Sequence, residues 1–268
     1  MWLGEPESSD PSLVGGKAAA LSRLHSRFPV PPGFVLPWSV FRPDGSLTVG
    51  DLAEAYDQLG ANSVAVRSSA VGEDGQEASF AGQHATLLHV RDLDALRAAV
   101  YACWASAQSE PALRYREHQG MDGEGPPRIA VLVQAMVRAD AAAVGFSRAP
   151  AGHEPDVMLI NASFGLGDSI VSGLVTPDVY AVYRGDLSIV RQDVAEKGIM
   201  TVIAADGVTE LAVPTRLRRR PALAEDQIRE LAALMQDLER EWRFPVDVEV
   251  AWDADGLHLL QCRPITAL

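Results

Sequence analysis

The feature that most constrains the fold is a pair of alternating segments, residues 246–252 and 257–263. In the first, polar Asp247 and Glu249 alternate with valines, which predicts a strand with one apolar face and one face that carries two carboxylates. The turn residues 254–256 end in glycine, which suits a three-residue loop whose last residue is left-handed. The two segments therefore predict a β-hairpin.

The length of that turn fixes the register of the hairpin, and the register decides which side chains share a face. A three-residue turn pairs the two residues that flank it, and each further pair follows from the first. The predicted pairs are Asp253 with Leu257, Glu249 with Gln261, and Asp247 with Arg263. The opposite face is expected to cover a core through Val248, Val250, Leu260 and Cys262.

Two interpretations of the polar face remain open. One is an exposed sheet face with an ordinary Asp–Arg cross-strand pair. The other is a Mg²⁺ site, in which Glu249 and Gln261 supply hard oxygen ligands and Arg263 binds a phosphate. A Mg²⁺ ion that bridges phosphates takes only one or two protein ligands, which this sparse set matches.

A second constraint is Arg67, which lies inside the apolar, alternating strand segment 63–69. A guanidinium within a core strand is unfavourable unless its charge is paired. A nearby carboxylate or a bound phosphate would supply that partner, and the residues alone leave both open.

Composition argues against several classes of function. The 268 residues include 23 basic and 36 acidic ones, and the net charge of −13 opposes binding to nucleic acid. The one basic cluster, residues 216–220, is predicted to be a solvated loop. Cys103 and Cys262 follow neither a disulfide nor a zinc pattern. Without a signal peptide or an apolar run of about 18 residues, the sequence favours a cytoplasmic protein that does not span a membrane.

The pattern of elements indicates an α+β protein. Helices are predicted at residues 17–24, 92–107 and 168–173 and from about 224 onward. Strands are predicted, besides the hairpin, at residues 63–69, 87–90, 129–134, 141–146, 157–161, 179–183 and 187–191. Since these elements do not alternate as regular βαβ units, we expect two lobes rather than one parallel sheet.

Five blocks resemble, in the same order, the ATP-binding domain of the phosphoenolpyruvate synthase and pyruvate phosphate dikinase family, which is also similar to rifampicin phosphotransferase. They are Val14-Gly-Gly-Lys with Val30-Pro-Pro-Gly-Phe, Ser63-Val-Ala-Val-Arg-Ser-Ser with Ala78-Ser-Phe-Ala-Gly-Gln-His, Val131-Leu-Val-Gln-Ala-Met-Val, Asn161-Ala-Ser-Phe-Gly-Leu-Gly-Asp, and the hairpin ending Leu260-Gln-Cys-Arg-Pro. The resemblance implies an α+β, two-lobed ATP-grasp fold with the nucleotide in the cleft between the lobes. Residues 1–137 would form the N-terminal lobe and residues 138–268 the C-terminal lobe.

The resemblance also implies roles for particular residues. Lys17, Arg67 and Arg263 would be catalytic contacts to the ATP phosphates, and Glu249 and Gln261 would hold Mg²⁺. The further nucleotide contacts would be the loop residues Ser79, Gly82, Gln83 and Thr86, the adenine candidates Gln134, Met136 and Val137, and Asp168 and Lys197. Asp168 stands where the family usually has Glu, and the match around Lys197 is loose.

The implied function is transfer of a phosphoryl or pyrophosphoryl group from Mg-ATP to a histidine on a separate or missing domain. Family members are usually longer, and none of the six histidines lies in a motif that resembles a phospho-histidine site. His84, in the loop expected near the phosphates, is the one histidine to test. Two alternatives remain: a free-standing enzyme that phosphorylates or activates a small-molecule hydroxyl, and a degenerate ATP-sensing module. The acceptor is not specified by the sequence.

Overall fold

A computed structural model describes residues 1–42, 44, 46–47, 52–71, 85–109, 128–149, 156–205 and 207–265. The chain divides into two compact units, unit 1 (Met1–Met136) and unit 2 (Val137–Leu268). The division lies one residue from the predicted lobe boundary. Every strand pair within the described sheets is antiparallel. None of the helices in these ranges is long and apolar enough to cross a membrane.

Unit 1 is built on a four-stranded sheet in the order β1–β4–β2–β3. Its strands are β1 (Gly33–Leu36), β2 (Val64–Ala70), β3 (Thr86–Val90) and β4 (Ile129–Ala135). Its α-helices are α1 (Pro11–Leu24), α2 (Leu52–Leu59) and α3 (Leu93–Ser106), and short 3₁₀ turns form at Glu7–Ser9 and Trp38–Val40.

Helix α3 covers one face of this sheet. Asp92 caps the helix, since its side chain accepts a hydrogen bond from the Ala95 amide at 2.8 Å. The buried stripe Leu96, Val100 and Cys103 then packs against alternate valines of β2 and β4. The opposite face of β2 carries Ala65, Arg67 and Ser69, and it is the face from which the predicted phosphate contact projects.

Helix α1 changes course at Gly15, whose backbone angles of φ 76° and ψ 169° are not helical. A Cβ at this position would lie 2.3 Å from the carbonyl oxygen of Ser69 on β2, so only glycine fits. The Ser69 hydroxyl in turn accepts a hydrogen bond from the Ala18 amide at 3.1 Å. The predicted helix start after the glycines therefore corresponds to the second part of α1, which is fastened directly to β2.

Unit 2 contains a six-stranded sheet in the order β12–β11–β5–β6–β7–β8 and a separate hairpin, β9–β10. The sheet strands are β5 (Ala141–Phe146), β6 (Val157–Phe164), β7 (Asp178–Tyr183), β8 (Ile189–Asp193), β11 (Val246–Asp253) and β12 (Gly256–Pro264). The hairpin is β9 (Ile199–Ala204) and β10 (Gly207–Ala212), and the helices are α4 (Asp168–Val171) and α5 (Glu225–Trp242). The sequence patterns did not predict β9 or β10.

Helix α5, predicted from about residue 224 onward, covers one face of the six-stranded sheet with a stripe of apolar side chains. Ile228, Leu231, Met235 and Leu238 are all at most 1% exposed. The helix lies so close to β5 that a Cβ on Gly145 would meet the Met235 sulfur at 2.7 Å. The other face of the sheet is only partly buried, and it carries the polar side chains of β11 and β12.

The β11–β12 hairpin confirms two predicted pairs, Glu249 with Gln261 and Asp247 with Arg263, but corrects the turn. Asp253 pairs with Gly256 rather than Leu257, because the turn is one residue shorter than predicted. A shorter turn alone would have moved Gln261 to the opposite face. The register shift after Glu249 restores the alignment by making Leu260 the extra residue of a β-bulge.

The bulge also changes which leucine lies in the core. Leu259 is fully buried, at 0% exposure, whereas Leu260, which we expected in the core, is only partly buried. Val248, Val250 and Cys262 are buried as predicted. Strand β8 begins two residues later than predicted, since Leu187 adopts a left-handed conformation in the preceding turn.

Candidate functional site

Four side chains share the partly buried face at the edge of the unit 2 sheet: Asp247, Glu249, Gln261 and Arg263, here called the polar face. The Arg263 guanidinium donates from its Nε and from a terminal nitrogen to one Asp247 oxygen, at 2.9 and 2.8 Å. Glu249 and Gln261 lie directly opposite each other and are both partly exposed. Within the described residues, neither of these two side chains makes a hydrogen bond or ion pair with the protein.

Burial controls the ionisation of Asp247. Loss of solvent raises the pKa of this carboxyl above its ordinary value, and the neighbouring Arg263 guanidinium, which acts in the opposite direction, only partly offsets it. Glu249 raises the same pKa further through charge repulsion. The pair therefore fixes the position of Arg263, although burial disfavours the charged form of the Asp247 carboxyl.

An apolar patch adjoins the polar face. Val137, Ala142 and Ala251 are buried, and the partly buried Ala139 and Leu260 pack against them. The β-bulge is the reason that Leu260 reaches this patch, directly beside Gln261. Ala142 and Ala251 are at most 1% exposed, so the accessible edge of this patch is formed by the partly buried Ala139 and Leu260.

Helix α1 and strand β2 of unit 1 position two cationic side chains, Lys17 and Arg67. Lys17 follows the Gly15 break, and its ammonium lies 3.4 Å from the carbonyl oxygen of Ser68. Arg67 lies on β2 directly opposite Thr86 of β3, so these two predicted contacts are cross-strand neighbours. Both Lys17 and Arg67 are partly exposed.

Cys103 lies close enough to Lys17 to feel its charge. Burial raises the pKa of the Cys103 thiol to about 12, and the Lys17 ammonium only partly opposes this. Such a thiol is protonated at neutral pH and is not a nucleophile.

Of the adenine candidates, Gln134 and Met136 already make hydrogen bonds with the protein, whereas Val137 has backbone groups that could bind a ligand. The Gln134 side chain is buried and donates to the Pro31 carbonyl at 3.1 Å, and the Met136 amide donates to Ser63 at 3.0 Å. Within the described residues, the backbone of Val137 and of the two residues after it makes no backbone hydrogen bond. The available donors and acceptors therefore begin at Val137.

Lys197 is the predicted nucleotide contact that the structure places least favourably. Its side chain is fully buried, and its ammonium contacts the equally buried Asp178 carboxylate and the Ala195 carbonyl. It also lies 5.4 Å from the centre of the Phe164 ring. A phosphate would compete with Asp178 for this ammonium, and the role of Lys197 as a nucleotide contact stays a prediction. Asp168, by contrast, is exposed at the start of α4.

Asp178 is an important residue that the sequence patterns missed. Besides Lys197, its carboxylate accepts hydrogen bonds from the amides of Ala222 at 2.7 Å and Ala195 at 2.9 Å, and from the Tyr180 hydroxyl at 3.2 Å. The desolvation of Tyr180 and the nearby Asp178 charge both raise the pKa of Tyr180 above its ordinary value. The partners lie up to 44 residues away, so no local motif could have identified this network.

Ser79, Gly82, Gln83 and His84 lie outside the described residues. Among the residues that are described, no group of three or more His, Cys, Asp and Glu side chains could hold a metal ion. The Glu249–Gln261 pair fits a different kind of site, since one carboxylate and one amide oxygen suffice where phosphate and water complete the coordination of Mg²⁺.

Comparison with known proteins gives a family. The family described as "Pyruvate phosphate dikinase, AMP/ATP-binding domain" matches residues 48–268. A probable phosphoenolpyruvate synthase from Methanocaldococcus jannaschii is 33% identical over a match covering 100% of this chain and 26% of that protein. A Streptomyces rifampicin phosphotransferase is 39% identical, with 99% and 29% covered.

The prodigiosin synthesizing transferase PigC from Serratia marcescens is 35% identical, with 98% of this chain and 33% of that protein covered. The chain thus spans 26 to 33% of the length of these three relatives. Its α+β architecture in two units agrees with the ATP-grasp fold that the resemblance implied. The chain belongs to the family of pyruvate phosphate dikinase AMP/ATP-binding domains.

Proposed function

We propose that this chain binds Mg-ATP and starts transfer of a phosphoryl or pyrophosphoryl group to a histidine on a separate or missing domain, as a cytoplasmic, dikinase-type phosphotransferase. The observation that carries the proposal is the polar face, where an unengaged carboxylate–amide pair adjoins a fixed arginine. Family membership supports the nucleotide, and the donor chemistry of the pair supports the metal.

The polar face would hold the metal and one phosphate. Glu249 and Gln261 supply oxygen ligands for Mg²⁺, which when bound neutralises charge on the phosphate oxygens. Arg263 donates hydrogen bonds to a phosphate, and the buried Asp247 beneath it fixes the direction of the guanidinium. The protein provides position and charge rather than a nucleophile.

Lys17, Arg67 and Thr86 of unit 1 remain predicted phosphate contacts. Lys17 and Arg67 present partly exposed cations, and Thr86 adds a hydroxyl beside Arg67. Ser79, Gly82 and Gln83 remain predicted contacts from the adjoining loop. Asp168 also remains a prediction, since its exposed carboxylate suits a metal-bound water better than a bare phosphate.

The base would bind at the accessible edge of the apolar patch, beside Ala139 and Leu260. Adenine needs an apolar surface together with a backbone donor and acceptor, and residues 137–139 offer both. Gln134 then has an indirect role, because its side chain holds the loop that contains Pro31.

A second candidate is direct phosphorylation or activation of a small-molecule hydroxyl. It is favoured by the names of two relatives, a rifampicin phosphotransferase and a prodigiosin synthesizing transferase. The same Mg-ATP contacts would serve both reactions, so the acceptor distinguishes them.

The test is a nucleotide-binding titration followed by a labelling experiment with ATP radiolabelled at the β or γ position. The wild-type chain should bind ATP only with Mg²⁺, and label should move to an added histidine domain from a longer family member. Label on a small-molecule hydroxyl instead would favour the second candidate. Absence of Mg-dependent ATP binding would overturn both.

Two variants should lose binding without unfolding. Arg67→Ala removes a charge-assisted phosphate contact of about 1.5–3 kcal/mol, and Glu249→Ala removes the charged metal ligand. Matched controls are the exposed residues Arg97→Ala and Glu210→Ala, which should bind as the wild type does. If either site variant binds Mg-ATP as the wild type does, that residue has no part in the proposed mechanism.

A further inference from the structure

Asn161 is a polar residue of the unit 2 sheet to which no role has been given above. It lies on β6, where Met158, Ile160 and Ala162 are fully buried beneath α5. Asn161 therefore points to the opposite face and is partly exposed there. Within the described residues, its carboxamide makes no hydrogen bond with the protein.

The strand register places Asn161 in the same row as the Glu249–Gln261 pair. Glu249 lies opposite Val144 of β5, and Val144 lies opposite Asn161. Strands are about 4.8 Å apart, so the Cα atoms of Glu249 and Asn161 are about 10 Å apart across the sheet. A polyphosphate with its metal is large enough to reach both side chains.

The order of rows across this face assigns a part of the ligand to each. Ala142 and Ala251 of the apolar patch form one row, Glu249 and Asn161 the next, and the Asp247–Arg263 pair the row after that. Rows on the same face are about 6.7 Å apart. If the base lies on the apolar patch, the middle row faces phosphate rather than adenine.

The charges around Asn161 explain why an amide suits this position. In the same row, Glu249 lies on one side, and Asp193 of β8, which forms an ion pair with Arg191, lies on the other, opposite Val179. A third carboxylate between them would repel an anion, whereas a carboxamide donates two N–H groups to one. We propose that Asn161 donates a hydrogen bond to a phosphate oxygen of bound Mg-ATP, an inference that rests on the function proposed above.

The test is calorimetric titration of the full chain with Mg-ATP, Mg-ADP and adenosine. Asn161→Ala should weaken binding of Mg-ATP about tenfold, as expected for loss of a hydrogen bond to a charged group, and should leave adenosine binding nearly unchanged. Asn161→Asp, which keeps the shape but replaces the donors with a negative charge, should weaken Mg-ATP binding further. Asn62→Ala, at an exposed position before β2, is the matched control and should bind as the wild type does.

Three outcomes would overturn the inference. Unchanged Mg-ATP binding by Asn161→Ala would show that the residue makes no contact with the ligand, and equal weakening of adenosine binding would place the contact on the nucleoside. Tighter metal-dependent binding by Asn161→Asp would make the residue a metal ligand. If the wild-type chain itself fails to bind Mg-ATP, the proposed function fails first, which separates the two failures. Equal melting temperatures show that each variant is folded.

Discussion

In unit 2 the polar face is assembled by strand register, whereas in unit 1 the predicted phosphate contacts depend on a helix fastened to a strand. Glu249 and Gln261 face each other because β11 and β12 are neighbours in sequence and pair across a short turn. Lys17 and Arg67 are 50 positions apart in the chain, and Lys17 is placed because Gly15 lets α1 approach the backbone of Ser69. Many side chains are compatible with the strand register of β11 and β12, but only glycine is compatible with the close approach of α1 to β2.

The two units also treat buried charge differently. In unit 2, Lys197 is paired with Asp178 and both side chains are fully buried. In unit 1, Lys17 and Arg67 keep partial exposure, which a ligand-binding cation requires. Lys17 and Lys197 therefore differ in the exposure of their side chains, although both are predicted nucleotide contacts.

The largest expected effect tests the structural role of the buried pair. Asp178→Ala leaves the Lys197 ammonium buried without its counter-ion, which should lower the free energy of unfolding by about 3–5 kcal/mol. Denaturant unfolding measures this directly. Glu196→Ala breaks the exposed Glu196–Arg219 pair and should cost less than about 1 kcal/mol. Equal losses in the two variants would show that Lys197 is not held by Asp178.

The next effect tests the corrected hairpin. Leu259→Ala should destabilise the protein by about 2–5 kcal/mol because Leu259 is fully buried. The same change at the partly buried Leu260 should cost much less, and should instead weaken ATP binding through the apolar patch. Urea denaturation of the two variants compares them. A larger loss at Leu260 would restore the register first predicted from the sequence.

A smaller effect tests the close approach in unit 1. Gly15→Ala should lower the free energy of unfolding by about 1–3 kcal/mol, the usual cost of a backbone conformation available only to glycine, and the added Cβ would displace α1 from Ser69. Mg-ATP binding should weaken with it, because Lys17 moves. Gly60→Ala is the matched control, since Gly60 has a positive φ but open space around it. If both variants bind ATP normally, the position of Lys17 does not matter for binding.

The smallest effect concerns pH and Asp247. Its folded-state pKa is raised above the ordinary 3.8, so its contribution to stability is fully present below pH 3.8 and is lost as pH rises through the folded pKa. The unfolding free energy of the wild type relative to Asp247→Asn should therefore fall as pH rises from 3.8. Denaturant titrations at successive pH values measure the difference. A rising difference would mean that the attraction of Arg263 outweighs burial.

The sequence by itself determined the features that depend on neighbours along the chain. Alternation of polar and apolar residues in β11 fixed the two carboxylates on one face, and the apolar stripe of α5 fixed the side that packs on the sheet. The order of polar and apolar residues within these segments was sufficient to predict the faces, because strand and helix periodicity are local properties. The roles of Glu249, Gln261 and Arg67 as ligand contacts stay predictions that the binding experiments test.

The tertiary structure decided what depends on residues far apart. The bulge at Leu260 compensates for a turn that is one residue shorter than predicted. Gly15 is required because the backbone of Ser69 lies so close, and Asp178 pairs with Lys197, which is 19 positions away. These contacts have no signature within any one segment, because each depends on which surfaces meet after folding. The burial of Lys197 could not be predicted from the sequence for the same reason. Solvent exposure depends on how the chain packs, and the residue type alone does not show whether a lysine lies in the core or on the surface.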